Sequence, residues 1–506
     1  MRTRWSRWSC VALVVVLALG APVPARAQAS NTVLEEILEI LRKNGQISEA
    51  QKKALLERAE REAAQLAQAP PAGAAPPGPA APATAAPKAA PLVAGIDKLK
   101  PFLASPDGDF RVELGGRVQL DYDAVDDDAR ALTGAELADR FLVRRARLDL
   151  AGRAFRWIDF KIEADFTEGV SLKDAYLDFR FLPELRLRGG QFKVPFSREE
   201  LTSSRFIDFV ERSVINELAP VYDAGVMLHG DLFGGVLNYN FGAFNGTGED
   251  TADNNDGKDV AGRLVLAPFA RSDNLWLKGL YLAGNATWGD QDSINSAQGR
   301  TAARTGTRFT YFAAHPTRGE RTRFGGDAVW LVGPASLKFE YAEQRNERVG
   351  LGPGGVDLDD LVARGWYASA TWLVTGEDKP LNGPVEPRRP FSPLAGRVGP
   401  GAWELALRYA TLDFKSDGPL DFFDGNVGNG ITGGGRTAEN GVDALTAGVN
   451  WYLNSRVRAM VNWTRYWYEN PLGTATSCRA PACAAGSLRR GDDTSDEVLT
   501  RLQIWF

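Results

Sequence analysis

Apolar and polar residues alternate along most of the chain after Phe110. The closing stretch shows the pattern clearly: its apolar face carries Val498, Thr500, Leu502, Ile504 and Phe506, and its polar face carries Arg501 and Gln503. A period of two residues predicts a β-strand with one apolar face and one face toward water. Such a strand is protected from edge-to-edge aggregation when it closes a barrel whose outer surface meets lipid.

The same alternation recurs in segments of about ten residues, the length of a strand that spans a membrane barrel. These segments start near residues 110, 140, 157, 172, 185, 222, 236, 258, 275, 323, 337, 362, 402, 442, 456 and 496. Tight turns join alternate pairs, and longer polar loops join the others over residues 126–139, 195–221, 246–257, 289–322, 415–441 and 469–495. The pattern predicts an all-β protein: a transmembrane antiparallel barrel of about 16 strands, a size that leaves an aqueous channel.

The chain before the barrel divides into three segments. Arg2, Arg4 and Arg7 precede the apolar run Val11–Leu19, and Ala25-Arg26-Ala27 offers a small-residue cleavage site, so residues 1–27 are expected to be a signal peptide. Residues 28–66 are expected to form a short helical hairpin, either a soluble stalk or a coiled coil that helps three chains associate. Residues 67–100 are an Ala/Pro-rich linker, and residues 101–506 are the barrel.

Composition narrows the possible functions. The 506 residues carry a formal net charge of −5 and include two histidines. No catalytic motif, metal-ligand set or cofactor signature is present in the sequence, so we expect neither an enzyme nor a cofactor, and no nucleic acid as partner. Cys478 and Cys483 lie close together in a Pro/Gly/Ala-rich loop of an exported chain, where a disulfide is expected and two free thiols are the alternative.

Basic residues on the polar faces suggest what the channel passes. Arg145 and Arg147 lie on the water-facing side of the second strand with Arg144 near its mouth, and Arg117 and Lys161 point inward from other strands. Guanidinium groups that line a pore bind oxyanions through charge-assisted hydrogen bonds. The alternative is that basic and acidic residues pair across the lumen, because many carboxylates also face inward.

Several motifs in one order resemble the O/P family of outer-membrane porins, which includes phosphate- and polyphosphate-selective channels. The motifs include Leu114-Gly115-Gly116-Arg117, Arg144-Arg145-Ala146-Arg147-Leu148, Gly190-Gln191-Phe192-Lys193-Val194-Pro195-Phe196, Leu201-Thr202-Ser203-Ser204, Val210-Glu211-Arg212 and Gly448-Val449-Asn450-Trp451-Tyr452. The resemblance implies a homotrimer and a third long loop, about 197–221, that folds inward as a constriction. It also implies a permeation path lined by Arg117, Arg144, Arg145, Ser203, Ser204 and Arg212, with Arg300, Arg304 and Arg308 similar to an arginine ladder in the outer funnel.

Glu113 and Glu200 depart from the phosphate-selective pattern, which has lysine at the similar positions. A carboxylate there reverses the sign of a contact and raises the cost of passing a dianion.

The sequence therefore predicts an outer-membrane porin of a Gram-negative cell, surrounded by lipid and with its N-terminal segment in the periplasm. It would pass small solutes passively, with a preference for anions such as phosphate or polyphosphate. The alternative is a structural or adhesive envelope protein whose barrel is a membrane anchor and whose coiled coil contacts the cell wall.

Overall fold

The computed structural model describes residues 42, 49, 52–53, 92–97, 100–125, 139–167, 169–253, 255–300, 310–416, 439–469 and 494–506. The chain forms two units, Met1–Lys88 and Ala89–Phe506. In the first, the described residues are helical, and Arg42 and Glu49 form an ion pair at 3.1 Å. The predicted signal peptide and most of the predicted helical hairpin lie outside the described residues.

The second unit is built almost entirely from strands. They are β1 (Val93–Asp97), β2 (Lys100–Ala104), β3 (Arg111–Val125), β4 (Arg140–Ala154), β5 (Ile158–Asp165), β6 (Ser171–Leu182), β7 (Leu185–Lys193), β8 (Tyr222–Leu232), β9 (Leu237–Phe244), β10 (Asp259–Leu266), β11 (Leu280–Arg300), β12 (Thr310–Val332), β13 (Ala335–Arg348), β14 (Leu358–Leu373), β15 (Phe391–Ser392), β16 (Arg397–Val398), β17 (Ala402–Ser416), β18 (Glu439–Asn454), β19 (Val457–Tyr468) and β20 (Thr494–Trp505).

Sixteen of these strands, β3–β14 and β17–β20, close into a barrel. Each is antiparallel to its neighbour, and β14 pairs with β17 across the connection that contains β15 and β16. The last strand returns to the first, with β20 paired to β3 from Glu497–Val125 to Trp505–Arg117. The predicted antiparallel barrel of about 16 strands is confirmed.

The side chains alternate across the wall as the sequence pattern predicts. On β20, Arg501 and Gln503 are buried inside the barrel, whereas Leu502 and Ile504 are about half exposed on its outside. Apolar side chains therefore cover the outer surface that faces lipid.

Two strands are much longer than predicted. β11 and β12 stay paired from Leu280–Trp330 through Gly289–Arg321 to Arg300–Thr310, with irregularities beyond Gln291. The prediction of a loop over residues 289–322 was wrong for most of that range. Strands that project beyond lipid need no apolar outer face, so the alternation that marks the other strands is absent here.

Short helices occupy two connections. α1 (Arg198–Leu201) lies between β7 and β8, followed by a 3₁₀ turn over Val214–Leu218, and α2 (Leu275–Lys278) lies between β10 and β11. The strand predicted to start near Leu275 starts instead at Leu280, because the Asn274 side chain caps α2. No helix in the described ranges is long and apolar enough to cross a membrane.

A hairpin precedes the barrel. β1 pairs with β2, and β2 pairs with the start of β3 from Phe102–Glu113 to Ala104–Arg111. β1 lies within the stretch 67–100 that the sequence suggests is a linker, and residues 67–91 are outside the described part.

The long connection between β7 and β8, residues 194–221, packs inside the barrel. Its Phe196, Ile215 and Leu218 are buried in one apolar cluster with inward-facing wall residues. Those wall residues come from β12, β13, β14, β17, β18 and β19 and include Leu361, Ala363, Leu412, Phe414, Val442 and Tyr466. The segment therefore fills one side of the lumen through ordinary hydrophobic burial.

Candidate permeation pathway

The opposite side of the lumen is open. A cavity of about 1160 Å³ lies between segment 194–221 and the inner faces of β3–β11. Its charged lining comprises eleven basic residues, Arg117, Arg144, Arg145, Arg147, Lys161, Lys173, Arg188, Lys193, Arg198, Arg212 and Arg263, and six acidic residues, Glu163, Asp165, Asp174, Glu200, Asp231 and Glu249. The cavity is thus locally basic although the whole chain has a net charge of −5.

A β-bulge brings three arginines of β4 to this cavity. Arg145 pairs with Gln119 on β3, but the next partner of β3, Leu120, pairs with Val143, so Arg144 is the extra residue. Strict alternation would turn Arg144 away from Arg145. With the bulge, Arg144 Nε lies 2.7 Å from Glu211 and Arg145 Nη2 lies 3.7 Å from the same carboxylate.

Glu211, on the inward segment, gathers three guanidinium groups. Arg501 of β20 is the third, at 2.8 Å, and it also pairs with Asp121 at 2.6 Å. Burial alone would raise the pKa of Glu211, but Arg144, Arg145 and Arg501 outweigh burial and hold that pKa well below its ordinary value. The carboxylate is therefore ionised and holds the segment against the wall.

A second carboxylate, Glu163 of β5, gathers cations on the wall itself. It pairs with Arg147 at 3.0 Å, with Lys161 at 2.9 Å, and with Arg117. Arg117 also donates from Nη1 to Ser203 Oγ at 3.0 Å, which connects the wall to the inward segment. Arg147 and Lys161 have further partners in Asp165 and Asp174, both at 2.6 Å.

The cavity-facing part of the inward segment is built around Glu200. Its carboxylate pairs with Lys193 at 2.9 Å and Arg212 at 3.3 Å. Arg212 also donates to the backbone carbonyls of Glu199 and Thr202, at 2.9 and 3.0 Å. Arg212 thus lines the cavity and also fixes the fold of α1.

The sequence model of the phosphate-selective porin O and P family matches residues 112–470. The chain belongs to this family. It is an outer-membrane porin whose arginine-rich cavity lies within the matched range.

Relatives of this porin include curated proteins and solved structures. Porin O of Pseudomonas aeruginosa is 24% identical over 436 residues, covering 80% of this chain and 90% of the relative. An uncharacterised protein of Caulobacter vibrioides is 27% identical over 341 residues, covering 63% of this chain and 64% of the relative. An anion-selective porin from Comamonas acidovorans aligns with a TM-score of 0.48 at 14% identity, over 78% of this chain and 100% of that structure.

The structure brings seven of the ten predicted pore residues of this porin to one cavity: Arg117, Arg144, Arg145, Arg147, Ser203, Ser204 and Arg212. Arg300 ends β11 with its side chain outside the described set, and Arg304, Arg308, Cys478 and Cys483 lie outside the described residues. Sequence reasoning did not select Lys193, Arg198 and Arg263, which also line the cavity. Alternation on β10 could have identified Arg263, whereas Lys193 has the opposite parity to the inward-facing Arg188 of β7.

The two glutamates that depart from the phosphate-selective pattern have different surroundings. Glu200 lines the cavity with its charge balanced by Lys193 and Arg212. Glu113 is outside the cavity lining and pairs with Arg111 at 2.8 Å and Lys100 at 3.9 Å, beside the hairpin β1–β2. Of the two positions, Glu200 alone lines the cavity.

Proposed function

We propose that this porin passes small anions, including phosphate and polyphosphate, by passive diffusion along the cavity between segment 194–221 and the β3–β11 wall. The observation that carries the proposal is the excess of basic over acidic side chains in the cavity lining. A locally positive lumen concentrates anions and lowers their barrier to entry, while it repels cations. As a diffusion path, the channel requires no catalytic step.

We propose further that segment 194–221 is the constriction of this path. Support comes from its anchoring on more than one strand: Val210 N–H donates to Asn462 Oδ1 of β19 at 2.6 Å, Arg458 Nη1 of β19 donates to the Ile207 carbonyl at 3.0 Å, and Arg501 of β20 pairs with Glu211 at 2.8 Å. A segment held at many points keeps a fixed width, which a size-limiting element requires.

Within the constriction, the possible hydrogen-bond donors for a passing oxyanion differ in the partners that they already have. Arg198 donates to the Leu381 carbonyl and Asn382 Oδ1 at 3.3 and 3.5 Å, and no described carboxylate lies at ion-pair distance from it. Ser204 Oγ is buried without a partner among the described atoms. These two groups are the donors best placed to replace part of an anion's hydration.

The assembly proposed for the porin is a homotrimer in outer-membrane lipid, with the N-terminal segment in the periplasm. The outward apolar face of the barrel supports contact with lipid. The family resemblance supports the trimer, and residues 28–66 are the proposed self-association segment. Mass measurement of purified protein in detergent, with and without residues 28–91, tests the role of that segment.

Planar-bilayer recording of the purified porin tests the function. In a potassium chloride gradient, the expected reversal potential has the sign of an anion-selective pore, and added phosphate should reduce the chloride current. A cation-selective reversal potential would contradict the anion preference. A closed barrel would favour the alternative role as an envelope anchor.

A further inference from the structure

Glu163 occupies an unusual place in the cavity wall. Its side chain is 2% exposed, and its carboxylate faces Arg117, Arg147 and Lys161. Arg147 and Lys161 each have a second carboxylate, Asp165 and Asp174. Arg117 has no second carboxylate at ion-pair distance within the described residues, so Glu163 is its counterion.

The contacts of Arg117 show which of its hydrogen-bond donors Glu163 engages. One arm of the guanidinium, Nη2, binds Glu163, and the other, Nη1, donates to Ser203 of the inward segment. A phosphate oxygen and a carboxylate oxygen prefer the same guanidinium donors, in the same geometry. An oxyanion that reaches this point therefore competes with a carboxylate already bound to Arg117.

We infer that Glu163 is a specificity-determining residue of this porin, which lowers the affinity of the constriction for oxyanions by occupying Arg117 from within. The inference rests on the proposed function, because it concerns the anion path described there. Channels conduct when a site binds well enough to admit a solute but weakly enough to release it. A carboxylate of the protein that is already bound to Arg117 weakens the binding of an oxyanion there and so favours its release.

Glu163 is better placed for this role than the other glutamate of the constriction. Glu200 belongs to the inward segment, where its carboxylate accepts from Asn216 and Lys193 and its backbone N–H donates to Ser197 Oγ, so its loss would disturb the segment itself. Glu163 projects from β5, whose backbone is held on both sides by β4 and β6. Changing its charge should therefore alter the site with little movement of the wall.

The test is the E163Q variant in planar bilayers. Glutamine keeps the size of the side chain and removes its charge, which leaves Arg117 free for a solute. Phosphate should then inhibit the chloride current at concentrations about tenfold lower than for the unmodified porin, the factor expected for one more charge-assisted hydrogen bond. The reversal potential should also move toward stronger anion selectivity.

The matched control is E113Q. Glu113 is on the adjacent part of the wall and is also paired with basic residues, but it lies outside the cavity lining. Its inhibition by phosphate should equal that of the unmodified porin. Equal inhibition of E163Q and E113Q would overturn the inference, and so would stronger inhibition in both.

A second variant guards against a folding defect in E163Q. R117Q/E163Q removes both charges of the pair, and its phosphate inhibition should fall back to or below that of the unmodified porin. A double variant that stays tenfold more sensitive would show that Arg117 is not the freed donor and would overturn the inference. Failure of the proposed function is distinct, since the unmodified porin would then show no anion-selective current.

Discussion

Asp208 provides the most direct test of what holds the inward segment in place. Its carboxylate lies 2.5 Å from Lys338 Nζ on β13 and 2.8 Å from Lys379 Nζ in the connection between β14 and β17. Lys379 also pairs with Glu404. One side chain thus ties the segment to the wall and to the connection that follows β14.

The electrostatics around Asp208 show that the carboxylate is charged. Burial alone would raise its pKa, but the two lysines outweigh burial and hold the pKa below its ordinary value. D208N keeps the volume and removes the charge. Lys379 would retain Glu404, whereas Lys338 would keep no carboxylate at ion-pair distance among the described residues.

The expected cost follows from this geometry. Removing one partner of a buried ion pair destabilises by about 3–5 kcal/mol, because a buried charge is left uncompensated. Arg458, Arg501 and Asn462 still bind the segment at Ile207 and Val210. The segment should therefore loosen around Asp208 without leaving the lumen.

Single-channel recording measures the effect. D208N should show a larger mean conductance and more open-channel noise, together with a lower thermal unfolding midpoint. The control D208N/K338M removes the stranded lysine as well and should recover much of the thermal stability. Conductance, noise and unfolding midpoint all unchanged in D208N would refute the reasoning.

Three further predictions follow from other parts of the chain. A Cβ at Gly365 would meet the Thr411 carbonyl and lie 2.8 Å from Ile215 Cγ2, so G365A should lower the yield of folded porin. The control is G284A, whose Cβ meets nothing within 4 Å and which should leave the yield unchanged. Equal yields of the two variants would contradict this prediction. Because the pKa values of Asp208 and Glu211 are lowered in the folded porin, their stabilisation is present above pH about 4 and lost as pH falls further. The unfolding midpoint should thus hold from pH 8 to pH 5 and fall below pH 4, and a fall already at pH 6 would argue against it. Cys478 and Cys483 should resist maleimide labelling in unfolded protein until a reductant is added, and labelling without reductant would indicate free thiols.

Regular alternation made the barrel predictable from sequence. β3 carries polar residues at successive inward positions, Arg117, Gln119, Asp121 and Asp123, and apolar residues at the outward positions between them, so its two faces could be identified. The projecting parts of β11 and β12 could not be identified, since strands outside lipid carry no apolar stripe.

Two features of the site were beyond the reach of periodicity. The bulge at Arg144 depends on the register between β3 and β4, which a pattern within one strand does not determine. The apolar side of the lumen depends on tertiary packing: Leu361 and Ala363 are buried in one cluster with Ile215 and Leu218 of segment 194–221, which covers the inner face there.

Aromatic residues near strand ends illustrate the same limit. Trp403 and Trp451 stack at 5.4 Å, and each donates its indole N–H to the Pro400 carbonyl, as expected at an interfacial belt. Tyr452 and Tyr466 instead are buried and donate their hydroxyls to Glu404 and Glu497. Aromatic residues at similar positions along their strands therefore take different roles, which depend on the face to which each side chain points.

The hairpin before the barrel has a consequence for how the porin assembles. β2 pairs with the start of β3 at Arg111–Glu113. Phe506 forms two backbone hydrogen bonds with Gly116, a few residues further along the same edge of β3. β2 and β20 therefore pair in succession with the same edge of β3, and β2 occupies the positions into which β20 would extend after a shift toward Arg111. A shift of one residue in the β3–β20 register would turn Arg501 and Gln503 toward lipid. By blocking that shift, β2 favours the register in which the last strand closes the barrel.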